Sequence, residues 1–191
     1  VSRRVLVTGA NGFIGRDLVA RLAGNGWQVR AAARDPGTLR ASSGVEPIPL
    51  GDLSQAFDWK PLMSGVTHVV HLAGIAHATT RIPDAVYDAV NADAAGRLAE
   101  AARLGGVERV VMMSSVRAQC GASAEGIVTE RHAPAPADAY GRAKLAGERQ
   151  LAARLEGSPT SWCVLRPVVV YGRGVKGNMA TLVRLARTPW P

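Results

Sequence analysis

Ser115, Tyr140 and Lys144 form the most reactive combination of side chains in this chain of 191 residues. A tyrosine phenol has a pKa of about 10, too high for a base at neutral pH, but a nearby ammonium favours the phenolate. Residues four apart share one face of a helix, so Tyr140 and Lys144 can project into one site. A serine hydroxyl at the end of a neighbouring strand can hold the substrate oxygen whose proton Tyr140 takes or gives. We therefore predict that these three residues are catalytic.

The elements that must position these side chains alternate between strand and helix along the chain. Apolar runs predict strands at residues 5–8, 28–33, 46–50, 67–72, 107–114 and 161–166. Helical patterns cover residues 13–23, 84–104 and 138–155, and a last helix is expected to start near Asn178. This alternation predicts an α/β fold, a doubly wound parallel sheet with helices on both faces.

A glycine-rich loop joins the first predicted strand to the first helix, in the run Thr8-Gly9-Ala10-Asn11-Gly12-Phe13-Ile14-Gly15. Gly9 permits a tight turn, Gly12 lets the backbone approach a pyrophosphate, and Gly15 lets the helix pack close to the sheet. Phosphates would meet the free N–H groups and the positive dipole end of that helix. The loop therefore predicts a dinucleotide site.

In this order, the loop, Ser115 and the Y-x-x-x-K pair resemble the extended branch of the short-chain dehydrogenase/reductase superfamily, the NAD-dependent epimerase/dehydratase family. The resemblance covers the whole chain and implies modification of nucleotide sugars, with a UDP-glucose 4-epimerase-like reaction favoured. It implies that Tyr140 takes the proton of the sugar 4-hydroxyl while hydride passes from C4 to the nicotinamide and later returns to the opposite face. Lys144 would lower the pKa of Tyr140 and bind the nicotinamide ribose, and Ser115 would hold the reacting oxygen.

The resemblance also implies contacts along the rest of the chain. Asp52 would bond the adenine edge, Asn91 would steady Lys144, and the turn at Pro167 would lie beside the nicotinamide. The implied cofactor-binding residues are Gly9, Asn11, Gly12, Phe13, Ile14, Gly15, Arg34, Asp52, Leu53, Leu72, Ala73, Gly74, Asn91, Tyr140, Lys144, Pro167 and Val168. The implied substrate contacts are Ser115, Val169 and Asn178. His77 and His132 match no family residue and are expected at the surface.

The end of the second strand bears on the choice between NAD and NADP. Ala33 stands where NAD-specific members of the family place an aspartate, and Arg34 and Asp35 follow it. An arginine there can pair with a 2′-phosphate, whereas Asp35 could instead accept bonds from the ribose. The sequence favours NADP, with NAD as the alternative.

Composition restricts the class of protein further. The net charge is +8, but the arginines are scattered over successive helices and aromatic residues make up only 5%, so a nucleic-acid partner is not expected. No apolar run approaches the ~20 residues of a membrane span, and the start of the chain leaves no room for a signal peptide. Two cysteines provide neither a disulfide framework nor metal-ligand spacing. We expect a cytoplasmic enzyme that needs no metal and takes a nucleotide-sugar substrate. Whether it forms a homodimer stays open.

Two other functions remain open at this stage. An NADPH-dependent carbonyl reductase of the dihydroflavonol-reductase type is supported by the strand that ends in Arg34. A non-catalytic dinucleotide-sensing module is the second alternative, although it would not need Ser115, Tyr140 and Lys144 together. The sugar is also open, because Val116-Arg117-Ala118-Gln119-Cys120-Gly121 follows Ser115 in place of the family's S-x-x-x-Y-G.

The resemblance also bears on domain organisation. Family members usually continue well past the position of Pro191, so residues 1–191 are expected to be one NAD(P)-binding Rossmann domain with the C-terminal substrate lobe largely absent. The surface that this lobe would cover, at residues 168–171 and 179–185, is expected to be exposed and apolar.

Overall fold

The computed structural model describes residues 3–76, 82–172, 174–175 and 177–188, with the backbone alone for 177 and 178. His77 lies outside the described residues. A six-stranded sheet in the order β3-β2-β1-β4-β5-β6 forms the centre of the molecule, and all its neighbouring strands are parallel. The strands are β1 (Arg4–Thr8), β2 (Gln28–Ala33), β3 (Val45–Pro49), β4 (His68–His71), β5 (Arg109–Met113) and β6 (Ser161–Leu165). The predicted doubly wound fold is confirmed, with strand ends that differ from the predicted ones by one or two residues.

Helices lie between most of the strands along the chain. They are α1 (Phe13–Gly24), α2 (Lys60–Met63), α3 (Asp84–Tyr87), α4 (Ala94–Leu104), α5 (Ala139–Leu155) and α6 (Gly177–Ala186). Short 3₁₀ turns cover Pro36–Thr38 and Val116–Ala118. Helix α2 was not predicted, because four residues are too few to show a helical period.

The long helix predicted at residues 84–104 is divided. A π turn at Asp88–Asp93 separates α3 from α4 and contains the buried Asn91. Hydrophobic periodicity does not distinguish a π turn from an α turn, so the sequence pattern missed it. Such turns often lie at functional sites.

Apolar side chains on both faces of the sheet hold the helices in place. Leu6 and Val69 face a core formed with Leu98 of α4 and Leu151 of α5. The alternate residues of β1 face the other side, where they pack against Val19 of α1. Because strand side chains alternate between faces, one apolar run in β1 can support both layers.

The sheet is less covered at its β6 edge. Val168 is 77% exposed and Tyr171 75%, and Leu182, Val183 and Leu185 of α6 are exposed as well. The predicted exposure of residues 168–171 and of most of 179–185 is therefore confirmed, although Met179 is half-buried.

Candidate active site

The strand order reverses direction between β1 and β4, and the crevice above their carboxyl ends is where open α/β sheets bind ligands. A cavity of about 340 Å³ lies there. Of the residues implied by the resemblance as cofactor contacts, it is lined by Gly9, Asn11, Gly12, Arg34, Asp52, Leu53, Leu72, Ala73 and Gly74. A smaller cleft of about 150 Å³ lies at the opposite ends of β1, β2 and β3, away from all of these residues.

Sequence reasoning missed part of the cavity wall. The additional lining residues are Ala33, Leu50, Ser54, Ile75, Val86 and Val90. Val86 and Val90 come from α3 and the π turn, far along the chain from the loops that follow the strands. Ala33, Ser54 and Ile75 could have been inferred, since each is directly next to a predicted cofactor residue.

The glycine loop has the geometry of a cradle that a side chain would fill. Gly9 has a φ of 69°, and a Cβ on it would lie 2.8 Å from the backbone nitrogen of Ala73. A Cβ on Gly15 would lie 2.2 Å from the carbonyl oxygen of Gly9. Gly12 is the N-cap residue of α1 and provides no side-chain cap for the first N–H groups of the helix. A pyrophosphate fits this set of open donors.

A hydrogen bond between Thr8 and His71 joins the carboxyl ends of β1 and β4 at the cavity. The Thr8 oxygen accepts a hydrogen bond of 3.2 Å from the N–H of Ala73, so its proton is available to His71 Nδ1 at 2.8 Å. Burial lowers the pKa of His71 to about 3, and the Lys144 charge acts in the same direction. His71 is therefore neutral at physiological pH and serves as an acceptor that positions the loops.

Asn91 and Lys144 meet beside Gly74. The Asn91 amide donates to the carbonyl of Ile75 at 3.0 Å and accepts from its N–H at 2.9 Å. A Cβ on Gly74 would lie 2.6 Å from Asn91 Oδ1 and 3.3 Å from Lys144 Nζ. Asn91 thus holds the loop after β4 next to Lys144. Both residues lie close to the cavity, because Gly74 is part of its lining.

Lys144 is buried on α5, and its Nζ donates to the carbonyl of Met113 at 3.0 Å. Burial lowers the pKa of this lysine to about 8, against the opposing effect of Glu148. The ammonium therefore stays largely protonated at neutral pH.

Glu148 adds a third residue to the face of α5 that carries Tyr140 and Lys144, one turn further on. Its carboxylate accepts from Arg166 Nε at 2.9 Å and from the hydroxyl of Ser114. These bonds hold α5 to the carboxyl ends of β5 and β6. Sequence reasoning missed Glu148, although its spacing of four from Lys144 was a usable signal.

Tyr140 lies in the first turn of α5, and Ser115 directly precedes the 3₁₀ turn that follows β5. Burial raises the pKa of Tyr140, while a hydrogen bond with Ser115 and the charge of Arg117 lower it. The ring of Tyr87 lies 6.2 Å from that of Tyr140 and also raises its pKa. Arg117 thus provides a positive charge that acts on the phenol. The effect of Lys144 on Tyr140 stays a prediction.

The Pro167 turn is tied to the serine loop. The N–H of Val116 donates to the carbonyl of Pro167 at 3.0 Å. Val168 and Val169, which follow, are exposed. Asn178 lies at the start of α6, and its side chain is outside the described part of the structure.

The residues after β2 and β3 form the other end of the cavity. Arg34 is exposed and lines it, whereas the Asp35 carboxylate accepts the N–H of Gly37 at 3.0 Å. Asp52 accepts the N–H and hydroxyl of Ser54 at 2.9 and 2.8 Å, which lowers its pKa. Arg34 and Asp35 are the two candidates for the ribose position. The Asp35 carboxylate already accepts a hydrogen bond within its own turn, whereas Arg34 faces the cavity.

The remaining predicted residues lie outside the cavity wall. Phe13 and Ile14 are half-buried in the first turn of α1. His132 is exposed and accepts from the N–H of Thr129 at 3.0 Å, as expected of a surface residue. Within the described ranges, no cluster of three or more potential metal ligands occurs and no helix has the length and apolar character to span a bilayer.

Comparison with known proteins decides the family. The model of the NAD dependent epimerase/dehydratase family matches residues 5–188. The chain belongs to this family. It is 32% identical to a UDP-glucose 4-epimerase of Vibrio cholerae over 96% of this chain and 56% of that protein. A ceramide reductase of Caulobacter vibrioides is 31% identical over 97% of this chain and 52% of its own length.

Among solved structures, MoeE5 in complex with UDP-glucuronic acid and NAD has a TM-score of 0.81 and 35% identity. The match covers 96% of this chain and 60% of MoeE5. The family member described here therefore spans little more than half the length of the relatives that it matches.

Proposed function

We propose that this chain is the dinucleotide-binding domain of an NAD(P)-dependent nucleotide-sugar epimerase or dehydratase, with 4-epimerase-like chemistry. The observations that carry the proposal are the position of Lys144 Nζ beside Gly74, which lines the glycine-loop cavity, and the hydrogen bond of Ser115 with Tyr140, one turn before Lys144 on α5. The Vibrio cholerae epimerase and the UDP-glucuronic acid complex of MoeE5 support the same substrate class.

The roles of the residues follow from their positions. The open N–H groups of α1 bind the pyrophosphate, and the loop from Leu72 to Gly74 lies along the dinucleotide. The bound nicotinamide supplies a hydride acceptor. Ser115 holds the hydroxyl of the sugar, and Tyr140 takes its proton and later returns it. Lys144, charged and buried beside Gly74, would bind the ribose.

Residues 1–191 would form one NAD(P)-binding domain within this protein. The proposed wall around the sugar would come from chain outside these residues, since the relatives are longer than the matched region. The exposed apolar residues around Val168 and Leu182 would then face that wall. A nucleotide-sugar substrate and a cofactor would meet between the two parts.

A titration and an assay together test the proposal. Isothermal calorimetry should show NAD or NADP binding, and the intact protein should interconvert a UDP-sugar and its 4-epimer without net use of cofactor. UDP-glucose and UDP-glucuronic acid are the first substrates to try. Cofactor binding without turnover on any nucleotide sugar would contradict the proposed reaction.

A second candidate function is an NADPH-dependent carbonyl reductase. The similarity to the Caulobacter ceramide reductase and the exposed Arg34 beside the cavity favour it. The two functions differ in how they treat the cofactor. An epimerase retains one oxidised dinucleotide through many turnovers, whereas a reductase consumes one NADPH for each product. Stoichiometric loss of NADPH absorbance with a carbonyl substrate would favour the reductase.

A further inference from the structure

Arg117 lies in the segment after Ser115 where the sequence departs from the family pattern. Its guanidinium forms an ion pair with Asp138, and each of these side chains is 35% exposed. Arg117 Nε is buried and has no hydrogen-bond partner among the described residues. A charge half withdrawn from water in this way acts more strongly on its neighbours than a surface charge.

The partner of Arg117 controls the start of the helix that carries Tyr140. Asp138 is the N-cap of α5, and its Oδ1 accepts from the N–H of Gly141 at 2.6 Å. Its other oxygen, Oδ2, binds Arg117. One carboxylate therefore holds both Arg117 and the helix turn that contains Tyr140.

The backbone of Arg117 makes two more contacts at the same place. Its N–H donates to Ser115 Oγ at 3.1 Å. Its carbonyl oxygen lies 2.2 Å from the position that a Cβ on Gly141 would take, so the loop and α5 pack backbone against backbone. Arg117 thus contacts Ser115 on one side and the Tyr140 turn on the other.

The charged and titratable groups around Tyr140 come from several elements. Tyr87 of α3 raises the pKa of Tyr140, and Ser115 and Arg117 lower it against the effect of burial. Asp84 of α3 is paired with Arg142 at 3.1 Å. On α5 itself, Lys144 donates to the Met113 carbonyl.

We propose that Arg117, held by Asp138, is a positioning residue that aligns Ser115 with the helix turn of Tyr140. Its positive charge then also acts on the phenol of Tyr140. The proposal rests on the proposed function, in which Tyr140 is the base. Arg117 need not touch the substrate, because it acts through the hydroxyls of Ser115 and Tyr140.

The titration of Tyr140 itself tests this role. The intact protein is labelled with ¹³Cζ-tyrosine, and the Tyr140 signal is assigned by its loss in Tyr140→Phe. Replacement Arg117→Met should move the midpoint of this titration to higher pH, because a positive charge is lost. It should also lower kcat at pH 7 about 10-fold to 100-fold while KM changes little. Arg117→Lys keeps the charge and should restore most of both values.

Arg142→Met is the matched control. It removes an arginine from another Arg–Asp pair on the first turns of α5, with side chains 54% and 70% exposed. The midpoint should be unchanged and kcat should stay within about twofold of the wild type, since exposed pairs contribute little. If Arg117→Met does not fold, Arg117→Gln replaces it in the same measurements.

A purely structural role of Arg117 predicts the opposite shift. Loosening of α5 would expose Tyr140 to water, remove the effect of burial and move the midpoint to lower pH. A lower or unchanged midpoint in Arg117→Met would therefore overturn the proposal. Failure of the proposed function gives a different result, namely a wild-type protein that does not turn over nucleotide sugars while its Tyr140 still titrates.

Discussion

The Lys144 ammonium donates a hydrogen bond of 3.0 Å to the carbonyl oxygen of Met113. Met113 is the last residue of β5, two positions before Ser115, so this bond holds α5 against the strand end that carries the serine. Because the lysine is buried there, its protonation state affects both the chemistry of the site and the stability of the fold.

This burial predicts a stability change in alkaline solution. The pKa of Lys144 is lowered from 10.5 to about 8 in the folded protein. Between these two pH values the unfolded chain binds more protons than the folded one. The contribution of Lys144 to the free energy of unfolding therefore increases as pH rises from about 8 to 10.5, and this gain is lost as pH falls again. The change is at most about 3 kcal/mol.

Urea denaturation at several pH values checks this expectation. The free energy of unfolding of the wild type, minus that of Lys144→Met, should increase with pH over this range. Lys60→Met is a suitable control, since Lys60 is exposed on α2. A difference between wild type and Lys144→Met that does not vary with pH would contradict the lowered pKa.

Tyr140→Phe tests the base. The variant should bind the dinucleotide within a few-fold of the wild type, because the phenyl ring keeps its packing, and turnover should decrease ~10²–10⁴-fold. Tyr87→Phe is the control, since its ring lies 6.2 Å from that of Tyr140 but is assigned no proton transfer. Calorimetry and steady-state rates measure the two properties. Wild-type turnover in Tyr140→Phe would remove Tyr140 from the mechanism.

Arg34→Ala tests the choice of cofactor. If Arg34 pairs with a 2′-phosphate, NADP should bind more tightly than NAD, and the substitution should narrow that ratio about tenfold or more. Arg40→Ala, at another exposed arginine seven residues after the end of β2, should leave the ratio unchanged. Competitive calorimetric titrations give both affinities. Equal affinities in the wild type would contradict the pairing of Arg34 with a 2′-phosphate and assign the ribose to Asp35.

Gly15→Ala and Gly24→Ala form a matched pair in α1. A Cβ on Gly15 would lie 2.2 Å from the Gly9 carbonyl oxygen, whereas one on Gly24 would meet nothing within 4 Å. We expect Gly15→Ala to cost about 1–3 kcal/mol of stability and to weaken dinucleotide binding, since the loop must move. Gly24→Ala should be neutral or stabilise by up to about 1 kcal/mol. Equal stability and NAD affinity in the two variants would show that Gly15 does not shape the loop.

The glycine loop could be predicted from the sequence, whereas several other features of the site could not. The close approach of Gly15 and the positive φ of Gly9 follow from a local rule, because a strand-to-helix turn leaves no room for side chains there. The π turn around Asn91 was missed because a helical pattern does not distinguish it from an α turn, and helix α2 because four residues are too few to show a period. The effect of Arg117 on the pKa of Tyr140 was also not predicted, whereas the effect of Lys144 stays a prediction.

The amino-acid sequence by itself determined the alternation of strands and helices, the glycine loop, and the shared helix face of Tyr140 and Lys144. All of these depend on residues within a few positions of each other, where helix and strand periods apply. Only the tertiary structure decided that Thr8 bonds His71, that Asn91 holds Ile75 beside Lys144, and that Arg117 pairs with Asp138. These contacts join segments from 16 to 63 positions apart, and they depend on the parallel strands, which bring their carboxyl ends to one edge of the sheet.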